Sequence, residues 1–159
     1  MNRKSLARCL KGIVCFLMVV GIAVYAGMIP DMVHSAAKSF PELAYFATPC
    51  IVLASLTALP VLLALYEFWN ICTRIAQDRS FCRENARGMT VIGACALADT
   101  VYCFGITVFL CVKGASNPGV LLVMMGVMVV GLAIAVAAFL LSHLVEKASA
   151  MEEEMQLTV

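Results

Sequence analysis

No charged side chain occurs between Gly12 and Ile29, and none between Gly119 and Leu141. Two further apolar stretches, about Phe46–Ile71 and Met89–Val112, hold one charge each, Glu67 and Asp99. Charged residues make up 13% of the chain and hydrophobic ones 63%, and a small water-soluble domain has too much surface to hide that apolar excess. Other scarcities exclude other chemistry. Histidine occurs twice, at His34 and His143, which fall in segments expected on opposite sides of a membrane, so a paired haem site inside one bundle is not expected. None of the eight cysteines forms Cys-x-x-Cys or has a histidine at ligand spacing, which leaves no metal motif. There is no Ser-His-Asp set and no phosphate-binding loop, so no catalytic residue, cofactor site or enzymatic activity is expected. The net charge of +1 offers no global attraction for nucleic acid, and no direct nucleic-acid contact is expected.

What is present is four apolar runs, at about 12–29, 46–71, 89–112 and 119–141. As helices rising about 1.5 Å per residue, each crosses the roughly 30 Å hydrocarbon layer. Helices also satisfy their own backbone hydrogen bonds in lipid, as short open strands cannot. The sequence therefore predicts an all-α, four-span membrane bundle forming a single domain over 1–159. It has an inner loop at 72–88 and an inner tail at 142–159. The first run exceeds the usual signal-peptide core and lacks a tight cleavage site, so it is expected to be retained. Pro60 should kink the second helix and free the carbonyl of Leu56. Ser39-Phe40-Pro41-Glu42 has the form of a capped helix start following an outer loop at about Pro30–Phe40. Tyr45 and Phe46 at the outer end of that helix, and Tyr66, Phe68 and Trp69 at its inner end, suit the headgroup level.

Basic residues are unevenly shared among the connections. Arg3, Lys4, Arg8 and Lys11 precede the first run, Arg74, Arg79, Arg83 and Arg87 lie between the second and third, and Lys147 follows the fourth. Only Lys38 and Lys113 lie in the other two connections, giving nine basic residues against two. Because positive segments stay in the cytoplasm, both termini and the middle loop are expected inside.

The middle stretch "IAQDRSFCRENARGMTVIG", with Phe81, Glu84, Asn85 and Arg87, resembles the signature of a family of small bacterial membrane proteins known as domain of unknown function 2975. The ending "MEEEMQLTV" is similar to the acidic, Leu-Thr-Val-type ends of that family. Ser80 stands where members usually have Gly or Asn-Pro. The resemblance implies a multi-pass protein of the bacterial inner membrane with no known reaction or ligand. It also implies a regulatory partnership with a cytosolic helix-turn-helix regulator, since members are often encoded beside one.

Several residues within the spans invite a role. Asp99 lies about ten residues into its run, some 15 Å deep, where an acid costs about 2.5–3.5 kcal/mol. It is expected to face the bundle and to have a partner or carry its proton. Cys95, Asp99, Cys103 and Thr107 step by four and form one polar stripe. Glu67 and Asn70 lie nearer the inner surface, and a proton or cation path through Glu67 and Asp99 is one alternative to an interhelical hydrogen bond. Cys50 and Cys111, near the outer ends of neighbouring spans, suggest a disulfide and a third, thiol-redox reading. Gly131 and Ala135 form a small-xxx-small pair that suits either packing within the chain or a homo-oligomer face.

The inner face carries the main interaction candidates. Arg79, Arg83 and Arg87 repeat every four residues and share one side if the block is helical. Phe81 is expected to dip into the membrane edge, and Glu84 and Asn85 to bond nearby backbone or arginines. Glu152, Glu153 and Glu154 lie on the same expected side and compete with lipid phosphates for those arginines. Leu157 and Val159, with Met155, supply the apolar contact that exposed ion pairs alone do not. The favoured function is interaction with lipid or protein through this face; the alternatives are a small transporter or channel component using Asp99, and the thiol-redox protein.

Overall fold

The computed structural model describes residues 3–39, 47–77, 82–114 and 118–157. Helix is the only regular structure among the described residues. In order they are α1 (Arg3–Ala23), a π-helical turn (Val24–Met28), α2 (Ile29–Ser39), α3 (Ala47–Leu56), α4 (Ala58–Ala76), α5 (Arg83–Val112) and α6 (Pro118–Leu157). Four stretches are long and apolar enough to cross a membrane: Cys9–Ser35, Thr48–Ala76, Arg83–Val112 and Pro118–Met151. Large apolar side chains point outward along all of them; Leu122 is 74% and Val101 63% exposed. In water that surface would be strongly unfavourable, whereas lipid tails solvate it at no cost. The hydrophobic interior is correspondingly small and made mainly of small residues, among them Cys72, Ala86, Cys103, Ala135 and Ala138.

The first span does not end at Ile29. It continues through Pro30 into α2, so the expected outer loop from Pro30 is helical as far as Ser39. The π turn explains how. Proline lacks an N–H, and its ring crowds the carbonyl four residues back, here that of Ala26. Just ahead of it the N–H of Ile29 bonds to the carbonyl of Val24, five residues back, which widens the helix where the proline enters. The expected cap at Ser39–Glu42 and the ring anchors Tyr45 and Phe46 lie outside the described residues.

The second span is interrupted, as its proline predicts, but the break falls at Thr57. The N–H of Thr57 turns to the carbonyl of Ala54, 3.2 Å away and only three residues back. That tighter turn leaves the carbonyl of Leu53 without its usual partner four residues on. The absence of an N–H on Pro60 does the same to Leu56. The Thr57 hydroxyl donates to Ala54 O at 2.6 Å.

Each span packs on its neighbour in sequence: α1 on α4, α4 on α5, and α5 on α6 along most of their length. The α5–α6 seam is built from small and hydroxylated residues. Thr90 meets Ser142, with 2.7 Å between their hydroxyls. Gly93 lies against the ring of Phe139, and Gly131 against the Thr100 hydroxyl. A Cβ on Gly131 would collide with that hydroxyl, so only glycine permits this approach. Gly131 and Ala135 thus serve packing within the chain, and Ala135 is 1% exposed. The same antiparallel register sets Arg87 level with Leu144 and Arg83 with Ala148. α6 then continues as helix beyond the start of α5, so positions 152–154 lie about one turn further out than Arg83. At its other end α5 closes at Gly114, whose φ of 65° is the left-handed conformation that glycine takes without strain.

Candidate functional site

Two places gather polar side chains: the rim where α4 ends and α5 begins, and a stripe in the middle of the bundle. At the rim, α4 ends at Ala76 and α5 begins at Arg83. Cys82 precedes α5 in an extended conformation (φ −117°, ψ 148°), and its carbonyl accepts from the N–H of Asn85 at 2.9 Å. The middle block is therefore the first turns of α5 from Arg83 onward. Helical geometry sorts it by face. Arg83, Glu84 and Arg87 are exposed, whereas Asn85 and Ala86 are 1% and 4% exposed. Asn85, expected among the interaction residues, lies inside the bundle. Gly88 is buried against Ile71 and Glu67 of α4. The Nε of Arg74 lies 3.7 Å from Glu84 Oε2, a partly exposed pair worth at most about 1 kcal/mol. The Lys11 ammonium sits over the Trp69 ring, 5.1 Å from its centre, which ties α1 to the C-terminal half of α4. Arg79 and Phe81 lie outside the described residues, as do Val159 and the side chains of Glu152, Glu153, Glu154 and Leu157.

Mid-bundle, Asp99 stands near two helix irregularities, the π turn of the first span and the break of the second. Tyr25, in the π turn of the first span, lies 2.8 Å from the Thr57 hydroxyl at the break of the second. Because the Thr57 proton is directed to Ala54, Tyr25 is the donor in that contact. Tyr102, one turn beyond Asp99 on α5, donates to the free carbonyl of Leu53 at 3.0 Å. Cys103 follows Asp99 one turn on along α5, on the same face. One carboxylate oxygen of Asp99, Oδ1, is buried with no hydrogen-bond partner. Beside it the break in the second span opens a groove of about 540 Å³ between α4 and α5. Leu59, Pro60 and Leu63 form one wall, and Ala94, Ala98 and Asp99 the other.

The expected stripe is realised in part. Cys103 is buried and Thr107 donates to its carbonyl at 2.8 Å. Glu67 lies against Gly88, nearer the start of α5 than Asp99 is. Cys50 and Cys111 carry free thiols. Among the described residues no cluster of three His, Cys, Asp or Glu side chains is arranged to hold a metal. Sequence reasoning passed over Tyr25, Thr57, Tyr102, Thr90 and Ser142. A threonine three residues before Pro60 and a tyrosine five before Pro30 were the only local signals.

A helical, multi-pass membrane protein is the class that these spans define. Within it the chain belongs to the family described as "Protein of unknown function (DUF2975)", which matches residues 31–159. It is similar to the uncharacterized membrane protein YoaS of Bacillus subtilis (strain 168), with 26% identity over 148 residues, covering 90% of this chain and 92% of that one. No solved structure matches the chain.

Proposed function

We propose that this protein has no enzymatic activity and works by interaction at the inner rim of the bacterial inner membrane, with both termini in the cytoplasm. The observation that carries the reading is the exposed Arg83–Arg87 face at the start of α5, flanked by an α6 that runs on past it. Each arginine there gains about 1 kcal/mol from anionic headgroups, and its planar fork suits a phosphate or a carboxylate equally. The acidic residues of the α6 extension compete with the headgroups. A cytosolic partner that captures the extension leaves the arginines to lipid. The family resemblance makes a helix-turn-helix regulator the candidate for that partner. The test is truncation after Ala150, with protease accessibility of the Arg79–Arg87 segment measured in membranes at low and high salt. Greater protection by anionic lipid after truncation is expected; unchanged accessibility at both salts refutes the competition.

A second reading, a small transporter or channel component using Asp99, is favoured by the unpartnered carboxylate oxygen at mid-bundle. Proton or cation flux in vesicles that is lost in Asp99→Asn supports it. The thiol-redox reading has less behind it. If Tyr102 and Leu53 mark one level, Cys50 and Cys111 are offset by roughly 9 Å along the bundle, beyond the usual Cα separation of a disulfide of about 7 Å.

A further inference from the structure

Asp99 and Glu67 are the only charged residues inside the four apolar runs, and no lysine or arginine lies within them. A carboxylate at Asp99 has no counter-ion among the described residues. Its surroundings supply little else. Tyr102 gives its proton to Leu53 and Tyr25 gives its own to Thr57, so neither hydroxyl hydrogen is available to Asp99. The buried Oδ1 accepts nothing. Yet the same residue lines a groove whose other walls are mainly aliphatic, with Cys95 and Tyr102 beside it, next to the break at Thr57–Pro60. The two features are complementary halves of one recognition problem. The groove suits an apolar body entering from the bilayer, and the carboxylate, when ionised, requires a positive charge.

We propose that this groove binds a lipophilic ammonium ion, its hydrocarbon body between α4 and α5 and its charged nitrogen at Asp99. The desolvated pair is stronger there than in water, because little solvent screens it. An aliphatic wall alone would take an acyl chain with no preference for charge. The carboxylate converts that indifferent surface into one selective for cations. The other titratable groups around Asp99 are Cys95 and Cys103 on its own helix, Tyr25 and Tyr102, and Glu67 further inward; α6 brings none through its apolar stretch. Only Asp99 both lines the groove and carries a carboxylate. Binding therefore weakens as acid protonates it. The proposal needs neither the rim interaction nor transport: a cation bound without flux leaves it standing.

The experiment uses the full chain in lipid nanodiscs and a matched pair of probes, 4-phenylbutylammonium and the neutral 4-phenylbutanol. The ammonium should bind more tightly than the alcohol, and its affinity should fall with pH. Asp99→Asn should erase the preference, a loss of about tenfold to a hundredfold, as for one charge-assisted contact. Asp99→Glu should keep part of it and guards against a fold defect in the amide variant. Ala94→Phe, which fills the groove while leaving the carboxylate, should abolish binding of both probes. Equal binding of the two probes is the signature of a phospholipid acyl chain or a second copy in the groove and overturns the proposal. So does an ammonium affinity unchanged in Asp99→Asn, or no binding by the unaltered chain.

Discussion

The phenolic hydroxyl of Tyr102 reaches from α5 to the backbone carbonyl of Leu53, 3.0 Å away, which the turn at Thr57 leaves without its helical partner. The contact compensates a broken helix in a solvent that offers no replacement donor. A lost hydrogen bond of this kind leaves a bare carbonyl in hydrocarbon.

Tyr102→Phe should therefore destabilise the protein by about 1–3 kcal/mol, the cost of leaving a buried acceptor unsatisfied. Tyr25→Phe should cost less, because the Thr57 hydroxyl keeps its bond to Ala54. Unfolding in mixed micelles, followed by far-ultraviolet circular dichroism, measures both. Equal, negligible losses would mean that the break is stable without its clamp.

Gly131→Ala should weaken the α5–α6 seam by about 1–3 kcal/mol, as overpacking does, since its Cβ meets the Thr100 hydroxyl. Adding Thr100→Ala should recover most of the loss. Gly126 has open space around it, so Gly126→Ala serves as the control and should cost nothing. The same micelle titration reads all three. A penalty for Gly126→Ala as large as that for Gly131→Ala would place the effect outside this contact.

Ser142 donates to the carbonyl of Ala86 at 2.7 Å and touches Thr90. Interhelical bonds of this type average only about 0.6 kcal/mol in membrane proteins. A double-mutant cycle of Ser142→Ala and Thr90→Val should give a coupling of about that size. A coupling of zero would reduce the hydroxyl pair to packing.

Orientation is tested by reporter fusions at Ser116 and after Val159. A periplasm-active reporter should work at Ser116 and fail at Val159, as nine basic residues against two require. The reverse pattern would invert the rim reading along with the threading.

The sequence by itself determined the membrane class and the four spans, because the cost of moving a segment into lipid is nearly a sum over its own residues. A missing charge from Gly119 to Leu141 is decisive without knowledge of any neighbour. The small pair Gly131 and Ala135 also announced a close helix approach, though not whose helix. Tertiary structure decided everything that depends on which groups stand opposite. It assigned that pair to α5, and turned Asn85 inward while leaving Arg83 and Arg87 outside. It also carried the first span through Pro30 by a π turn, and moved the break of the second from Pro60 back to Thr57. A proline states that a hydrogen bond will be lost. Where the strain is absorbed depends on donors such as Tyr25 and Tyr102, which lie 32 and 49 residues away from their partners in the chain and meet them only once the helices pack.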